Sequence, residues 1–153
     1  MNFTDYLNRQ KAEDRQAFII HYPPCSGKTQ FAWQLTKTHP DIYYLDLLGY
    51  FLAHQELPAI TQFDSNALRS LLLALDVPQT VILVDNPDFL FNTWSASEKK
   101  ALLHWLRVEL RSPGDTKKTF VFIIQDDEVL AAGNFCNSYD EPRVLAMNLF
   151  DAV

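Results

Sequence analysis

Residues 22–29 of this chain, Tyr-Pro-Pro-Cys-Ser-Gly-Lys-Thr, combine groups that can bind phosphate. They match the pattern G-x-x-x-x-G-K-[ST] at every fixed position except the first, where Tyr22 replaces glycine. In this pattern backbone N–H groups bind phosphate oxygens, the lysine reaches the β- and γ-phosphates, and the hydroxyl ligates Mg²⁺. We therefore predict a nucleotide-binding loop, with Thr29 as a metal ligand, formed by Pro24, Cys25, Ser26, Gly27, Lys28 and Thr29.

A second chemical signal is the apolar run Val-Ile-Leu-Val-Asp that ends at Asp85, 57 residues after Lys28. An aspartate at the carboxyl end of a parallel strand faces the crevice where such sheets bind ligands, so Asp85 is predicted to hold Mg²⁺. The next residue, Asn86, has an amide that can position water but cannot take its proton. Asp88 is an alternative base, although a turn or helix-cap role suits it as well, and Asp46 is a weaker candidate.

Two further polar residues flank apolar runs near the end of the chain. Gln125 ends the run at 119–125 and is predicted either to sense the γ-phosphate or attacking water, or to begin a helix capped by the acidic residues that follow. Arg143 precedes the last apolar run. It is predicted either to act in trans on the nucleotide of a neighbouring subunit or to be an exposed surface charge.

Short apolar runs alternate with longer amphipathic stretches, which predicts a three-layer α/β domain with a parallel sheet. The predicted strands cover residues 17–22, 42–47, 80–85, 119–125 and 143–149. The predicted helices cover residues 3–14, 28–38, 48–56, 65–75, 96–111 and 126–132, and the fifth of these begins with a Ser-x-x-Glu capping box at Ser95 and Glu98. No linker divides the chain, so we expect one domain over residues 1–153, with an N-terminal helix within residues 1–15.

Composition limits the classes of function. The 153 residues are 48% hydrophobic and 21% charged, which excludes a disordered chain. The net charge of −6 argues against tight nucleic-acid binding by this chain alone and favours protein partners. Cys25 and Cys136 lack the spacing of a zinc site or a disulfide framework, and no apolar stretch approaches the roughly 20 residues that cross a bilayer. We expect a cytoplasmic protein without membrane attachment.

The segment from Tyr22 to Thr29 resembles the G-P-P-G-x-G-K-T loop of AAA+ and related additional-strand P-loop NTPases, with both prolines kept and two glycines lost. The order of this loop, Asp85, Gln125 and Arg143 also fits that superfamily. The resemblance implies a five-stranded parallel sheet of order 5-1-4-3-2 and ATP bound with Mg²⁺. The chain departs from it at Asn86, where hydrolysing members carry glutamate, and by the expected lack of a C-terminal helical lid.

In size and in its lidless core, the chain is also similar to the small P-loop proteins (BrxF) of BREX phage-defence systems. That resemblance implies a bacterial antiviral role beside larger ATPase, methyltransferase and phosphatase-like partners.

The chain has the phosphate-binding loop but lacks the glutamate that activates water for hydrolysis. This combination predicts an ATP-binding switch or assembly subunit, and we expect a homo-oligomer with larger protein partners. Its ATP hydrolysis is expected to be slow or partner-dependent. One alternative is a small P-loop kinase, but residues 126–142 contain no Arg or Lys that could close over a transferred phosphate. The other alternative is a degenerate scaffold in which Tyr22 blocks the loop.

Overall fold

Short apolar segments form one parallel sheet in the computed structural model, which describes residues 1–23, 28–111 and 116–151. The strands in this described part are β1 (Phe18–Tyr22), β2 (Ile42–Asp46), β3 (Val81–Asp85), β4 (Thr119–Gln125) and β5 (Val144–Ala146). Their spatial order is β2-β3-β4-β1-β5 and every adjacent pair is parallel. The α/β class and the predicted order 5-1-4-3-2 are therefore confirmed.

Helices connect the strands and cover both faces of the sheet. In the described residues they are α1 (Phe3–Lys11), α2 (Lys28–Thr38), α3 (Leu47–Ala53), α4 (Ser65–Leu73), α5 (Asp88–Phe91) and α6 (Ala96–His104). A π-helical segment, Trp105–Glu109, continues α6, and short 3₁₀ turns lie at Ile60–Gln62 and Met147–Leu149. None of the helices in the described residues is long and apolar enough to cross a membrane.

Successive side chains of each strand point to opposite faces of the sheet, so the core has two layers. Phe18 and Ile20 of β1 face the layer that contains α1 and α2, whereas Ile19 faces the layer that contains α3, α4 and α6. In β4 the side chains of Phe120 and Phe122 point to this second layer. Because both faces are covered, the central strands are almost wholly buried, which accounts for their continuous apolar sequence.

The predicted capping box of α6 is confirmed in one half only. Ser95 accepts a hydrogen bond from the backbone N–H of Glu98, 3.2 Å away, as predicted. The Glu98 carboxylate does not return to Ser95; it accepts from the backbone N–H of Ser65 at 3.0 Å. Glu98 therefore satisfies a free donor at the start of α4 and joins the two helices.

Two predicted elements were wrong in extent or type. Residues 126–132 form turns and no helix, because the Asp127 carboxylate accepts from the N–H groups of both Val129 and Leu130 and stabilises a local turn. The predicted strand 143–149 pairs with β1 only over Val144–Ala146 and then becomes a 3₁₀ turn.

Candidate functional site

The candidate site lies at the carboxyl ends of the strands, which all meet at one edge of the parallel sheet. Register pairs Asp46 with Asp85 and Tyr22 with Gln125, so the ends of β1, β2, β3 and β4 meet there. Lys28 begins α2 next to this edge. The parallel topology therefore brings together polar residues that are far apart in sequence, as expected for a ligand crevice of an open α/β sheet.

An ion pair between Lys28 and Asp85 forms the centre of the site. The Lys28 Nζ donates to Asp85 Oδ1 at 2.9 Å and also to the amide oxygen of Asn86. The two charged side chains are 11% and 1% exposed, respectively. A pair this well buried is favourable only when further hydrogen bonds satisfy its remaining atoms, and the neighbouring residues supply them.

Tyr44 on β2 is the partner of Asp85 that the sequence did not reveal. Its hydroxyl donates to Asp85 Oδ2, while the backbone N–H of Asn86 donates to Oδ1 at 2.9 Å. Burial and the hydrogen bond to the carboxylate raise the pKa of Tyr44, so it remains a proton donor in this contact. Strand β2 reads Ile-Tyr-Tyr-Leu-Asp, and a hydroxyl-bearing residue two positions before its end was the available signal.

Asn86 contacts both the ion pair and β2, and its predicted role in positioning water stays a prediction. It adopts a left-handed backbone with φ of 56°, which asparagine tolerates better than most residues. Its amide oxygen accepts from Lys28 and its Nδ2 donates to Asp46 at 3.0 Å. The side chain thus links the ion pair to β2. Asp46 in turn caps α3 by accepting from the N–H of Gly49 at 3.3 Å.

Tyr22, at the position where the motif has glycine, contacts the ion pair from β1. The Lys28 Nζ lies 5.8 Å from the centre of its ring, within the range of a cation–π contact. Burial and the nearby carboxylates of Asp88 and Asp85 raise the pKa of its hydroxyl. Tyr22 therefore lies beside Lys28, and the register pairs it with Gln125 at the end of β4.

Gln125 and Asp88 form the outer part of the site. Asp88 Oδ1 accepts from the backbone N–H of Gln125 at 2.8 Å, and burial raises the pKa of this carboxyl group. The alternative in which Gln125 begins a helix is wrong, because turns follow it. Asp88 does not act as an N-cap: Pro87 is the N-cap of α5, and Asp88 is its first residue.

Arg143 lies at the opposite edge of the sheet, separated from the ion pair by the length of β1, roughly 15 Å. It is 3% exposed, so its interpretation as a surface charge is wrong. Its Nε and Nη2 donate to the carbonyl of Ala17 at 3.0 and 2.7 Å, and Nη2 also donates to Leu106 at 2.8 Å. The structure does not bring Arg143 to the other predicted site residues.

Part of the predicted loop lies outside the described residues, namely Pro24, Cys25, Ser26 and Gly27, and of Thr29 only the position in the first turn of α2 is described. Among the described residues no group of three or more His, Cys, Asp or Glu could hold a metal by itself. Mg²⁺ is commonly bound through one or two protein oxygens together with phosphates and water, and Asp85 is an oxygen donor of that kind.

Comparisons of the chain with models of protein families, with curated proteins and with solved structures gave no match.

Proposed function

We propose that this chain is an ATP-binding P-loop protein that acts as a nucleotide-dependent switch or assembly subunit, with slow or partner-dependent hydrolysis. The observation that supports it best is the contact of 2.9 Å between Lys28 at the start of α2 and Asp85 at the end of β3. These are the two residues that the motifs assign to phosphate and metal. They meet although they lie 57 positions apart in the sequence.

The ion pair explains how the site is stable without nucleotide and remains able to bind it. Lys28 is a cation at the N-terminus of an 11-residue helix, where anions are favoured. Phosphate oxygens can replace Asp85 as its partner, since charge-assisted contacts of the two kinds are similar in strength. Asp85 and Thr29 would then hold Mg²⁺, which would neutralise phosphate charge, while Tyr44 keeps the Asp85 carboxylate in place.

Slow hydrolysis follows from the acceptors that surround the ion pair. Asn86 carries an amide and cannot take a proton from water. Asp88 accepts from the N–H of Gln125, and Asp46 accepts from Asn86 and Gly49, so one oxygen of each carboxylate is engaged in holding the protein's own N–H groups. Partner-dependent activity would need a base or an arginine from another chain, as in NTPases that are activated in trans.

The biological setting of this switch is proposed from resemblance and charge. An acidic chain with net charge −6 favours protein partners over direct nucleic-acid binding. The similarity to BrxF proteins adds the proposal that these partners are the larger components of a bacterial BREX-like defence complex in the cytoplasm.

Calorimetric titration with ATP and Mg²⁺ tests the proposal on the whole chain. We expect saturable binding to the wild type and at least about tenfold weaker binding to Lys28→Ala, since a charge-assisted contact to phosphate is lost. Lys37→Ala is the matched control, because Lys37 is exposed in the last turn of α2. It should leave the affinity unchanged. Light scattering on the same samples is expected to show a larger mass with ATP.

Each other outcome favours a different function. No binding by the wild type contradicts nucleotide recognition and favours the scaffold. Phosphate transfer from ATP to an added acceptor favours the kinase. Binding without a change in mass contradicts nucleotide-driven self-assembly and restricts the switch to docking with another protein.

A further inference from the structure

A cavity of about 480 Å³ lies at the edge of the sheet opposite the candidate nucleotide site, where β1 and β5 begin. Its volume is within the usual range for sites that bind small molecules. Three arginines line it, and they come from separate parts of the chain: Arg15 before β1, Arg107 on the π-helical segment and Arg143 before β5. The fold thus collects cations at this edge.

Arg143 is a buried cation with no carboxylate partner among the described residues. Its Nε and Nη2 donate to the carbonyls of Ala17 and Leu106, and its guanidinium stacks over Phe135 at 4.9 Å. No described residue bonds its Nη1. Burial lowers the pKa of Arg143 to about 10, which leaves it charged at neutral pH. Buried charges in proteins are normally paired, so this one is only partly compensated.

The other two arginines also retain free donors toward the cavity. Arg107 is exposed and makes no hydrogen bond or ion pair with any described residue. Arg15 uses its Nε for the carbonyl of Val108 at 2.8 Å, and its two Nη groups have no partner in the described part of the chain. Together with Nη1 of Arg143, these groups provide several N–H donors that no acceptor in residues 1–23, 28–111 and 116–151 uses.

Two carboxylates border the same cavity and limit what can enter. Glu13 accepts from the backbone N–H of Ser138, and Asp14 is exposed at the rim. Three cations against two anions leave an excess of one positive charge at this edge. The acidic rim disfavours long polyanions such as nucleic acid or polyphosphate, because their additional charges would approach Glu13 and Asp14.

We propose that this cavity binds a small molecule through one compact oxyanion, a phosphate or a carboxylate, held by Arg107 and Arg143. The guanidinium fork matches two oxygens of either group. This site is separate from the nucleotide site, and it does not depend on the function proposed for Lys28 and Asp85.

Titration monitored by NMR of the arginine Nε–Hε groups tests the proposal, with inorganic phosphate and succinate as separate probes at constant ionic strength. The wild-type chain is used, because the Nε–Hε signals are read residue by residue and those of Arg107 and Arg143 report only on this cavity. We expect saturation with a dissociation constant at or below about 1 mM and shifts at Arg107 and Arg143. Saturation by one probe alone identifies the preferred oxyanion.

Variants separate a built site from general charge screening. Arg107→Ala is expected to weaken binding about tenfold, whereas Lys117→Ala, an exposed cation that does not line the cavity, should leave it unchanged. Arg143→Lys keeps the charge, loses the fork and should weaken binding as well. Equal effects of Arg107→Ala and Lys117→Ala, or no saturation with either probe, would overturn the proposal.

Discussion

Lys28 and Arg143 are largely buried cations at opposite edges of the same sheet, and their charges are compensated in different ways. Lys28 pairs with a carboxylate and an amide oxygen, both on side chains. Arg143 is bound to the main-chain carbonyl of Ala17, which precedes β1, and to that of Leu106, in the π-helical segment. A partner on a side chain can be exchanged for a ligand, whereas main-chain carbonyls are fixed by the fold.

This difference separates an exchangeable cation from a structural one. Arg143 ties β1, β5 and the π-helical segment together, and only its remaining donors face the cavity. Lys28 holds α2 to β3 through a side-chain contact, the one that phosphate would replace in the proposed function. The energetic consequences differ accordingly, and they can be measured by removing each cation in turn.

The largest effects are expected from removal of the two cations. Lys28→Met leaves the buried Asp85 carboxylate without its counter-ion and should lower the free energy of unfolding by about 3 kcal/mol. Adding Asp85→Asn should restore most of that loss, because the amide is neutral and can still accept from Tyr44. Urea unfolding of the single and double variants measures this coupling.

Arg143→Met should also cost about 3 kcal/mol, since the carbonyls of Ala17 and Leu106 lose their donors. No second side-chain substitution can restore this loss, because both acceptors belong to the main chain. If adding Asp85→Asn to Lys28→Met restored no stability, Lys28 would not differ from Arg143 in how its charge is compensated. An Arg143→Met variant as stable as the wild type would also remove that difference.

An intermediate effect is expected for Tyr44→Phe. The variant loses the hydroxyl that donates to Asp85 and keeps the ring that packs edge-on against Trp33. The free energy of unfolding should fall by about 1.5–3 kcal/mol, the usual range for a hydrogen bond to a charged group. Tyr43→Phe is the matched control, because no described residue bonds the Tyr43 hydroxyl; equal losses in both variants would contradict a specific role for Tyr44.

The smallest effect concerns Asp88 and pH. Burial raises its pKa, so the folded state binds a proton more tightly than the unfolded state does. The contribution of Asp88 to the free energy of unfolding is therefore fully present below the ordinary Asp pKa of 3.8. It decreases as the pH rises through the raised pKa of the folded state. Asp88→Asn keeps an acceptor for the Gln125 N–H and should remove that decrease, as measured by urea unfolding between about pH 3 and 7.

Asp76→Asn removes one exposed negative charge elsewhere and is the control for Asp88→Asn. It should leave the pH profile unchanged. An identical profile for Asp88→Asn and the wild type would show that burial of this carboxyl has no consequence for stability. Arg143 differs from Asp88 in this respect. Its lowered pKa of about 10 lies far from neutrality, so it gives no pH dependence of stability there.

The strands and the place of Asp85 at the end of β3 were predictable from sequence, because both rest on a local pattern, whereas the strand order was expected only from the family resemblance of the loop. An apolar run reports a buried strand, and parallel strands place their carboxyl ends at one edge. Tyr44 was not predictable, since a tyrosine within a strand fits a core position equally well. The burial of Arg143 depends on the tertiary approach of Ala17 and Leu106, which no local pattern records.

The turn at residues 126–132 shows a limit of a different kind. Acidic residues before an apolar stretch indicate a helix N-terminus, but the same Asp127 carboxylate can close a turn on its own. Its ion pair with Lys99 of α6, 2.7 Å between Nζ and Oδ2, comes from a distant element. Local sequence is compatible with a helix and with a turn at residues 126–132. In the turn, Asp127 contacts Lys99 of α6.

If Lys28 exchanges a carboxylate for phosphate, as proposed, NMR of its ammonium group will report the exchange. The wild type is titrated with Mg²⁺ and a non-hydrolysable ATP analogue, with Lys28→Ala to assign the signal and Lys37 as the internal reference. We expect a saturable shift of the Lys28 signal, while that of Lys37 stays in place. An unchanged Lys28 signal at saturating analogue would contradict the exchange.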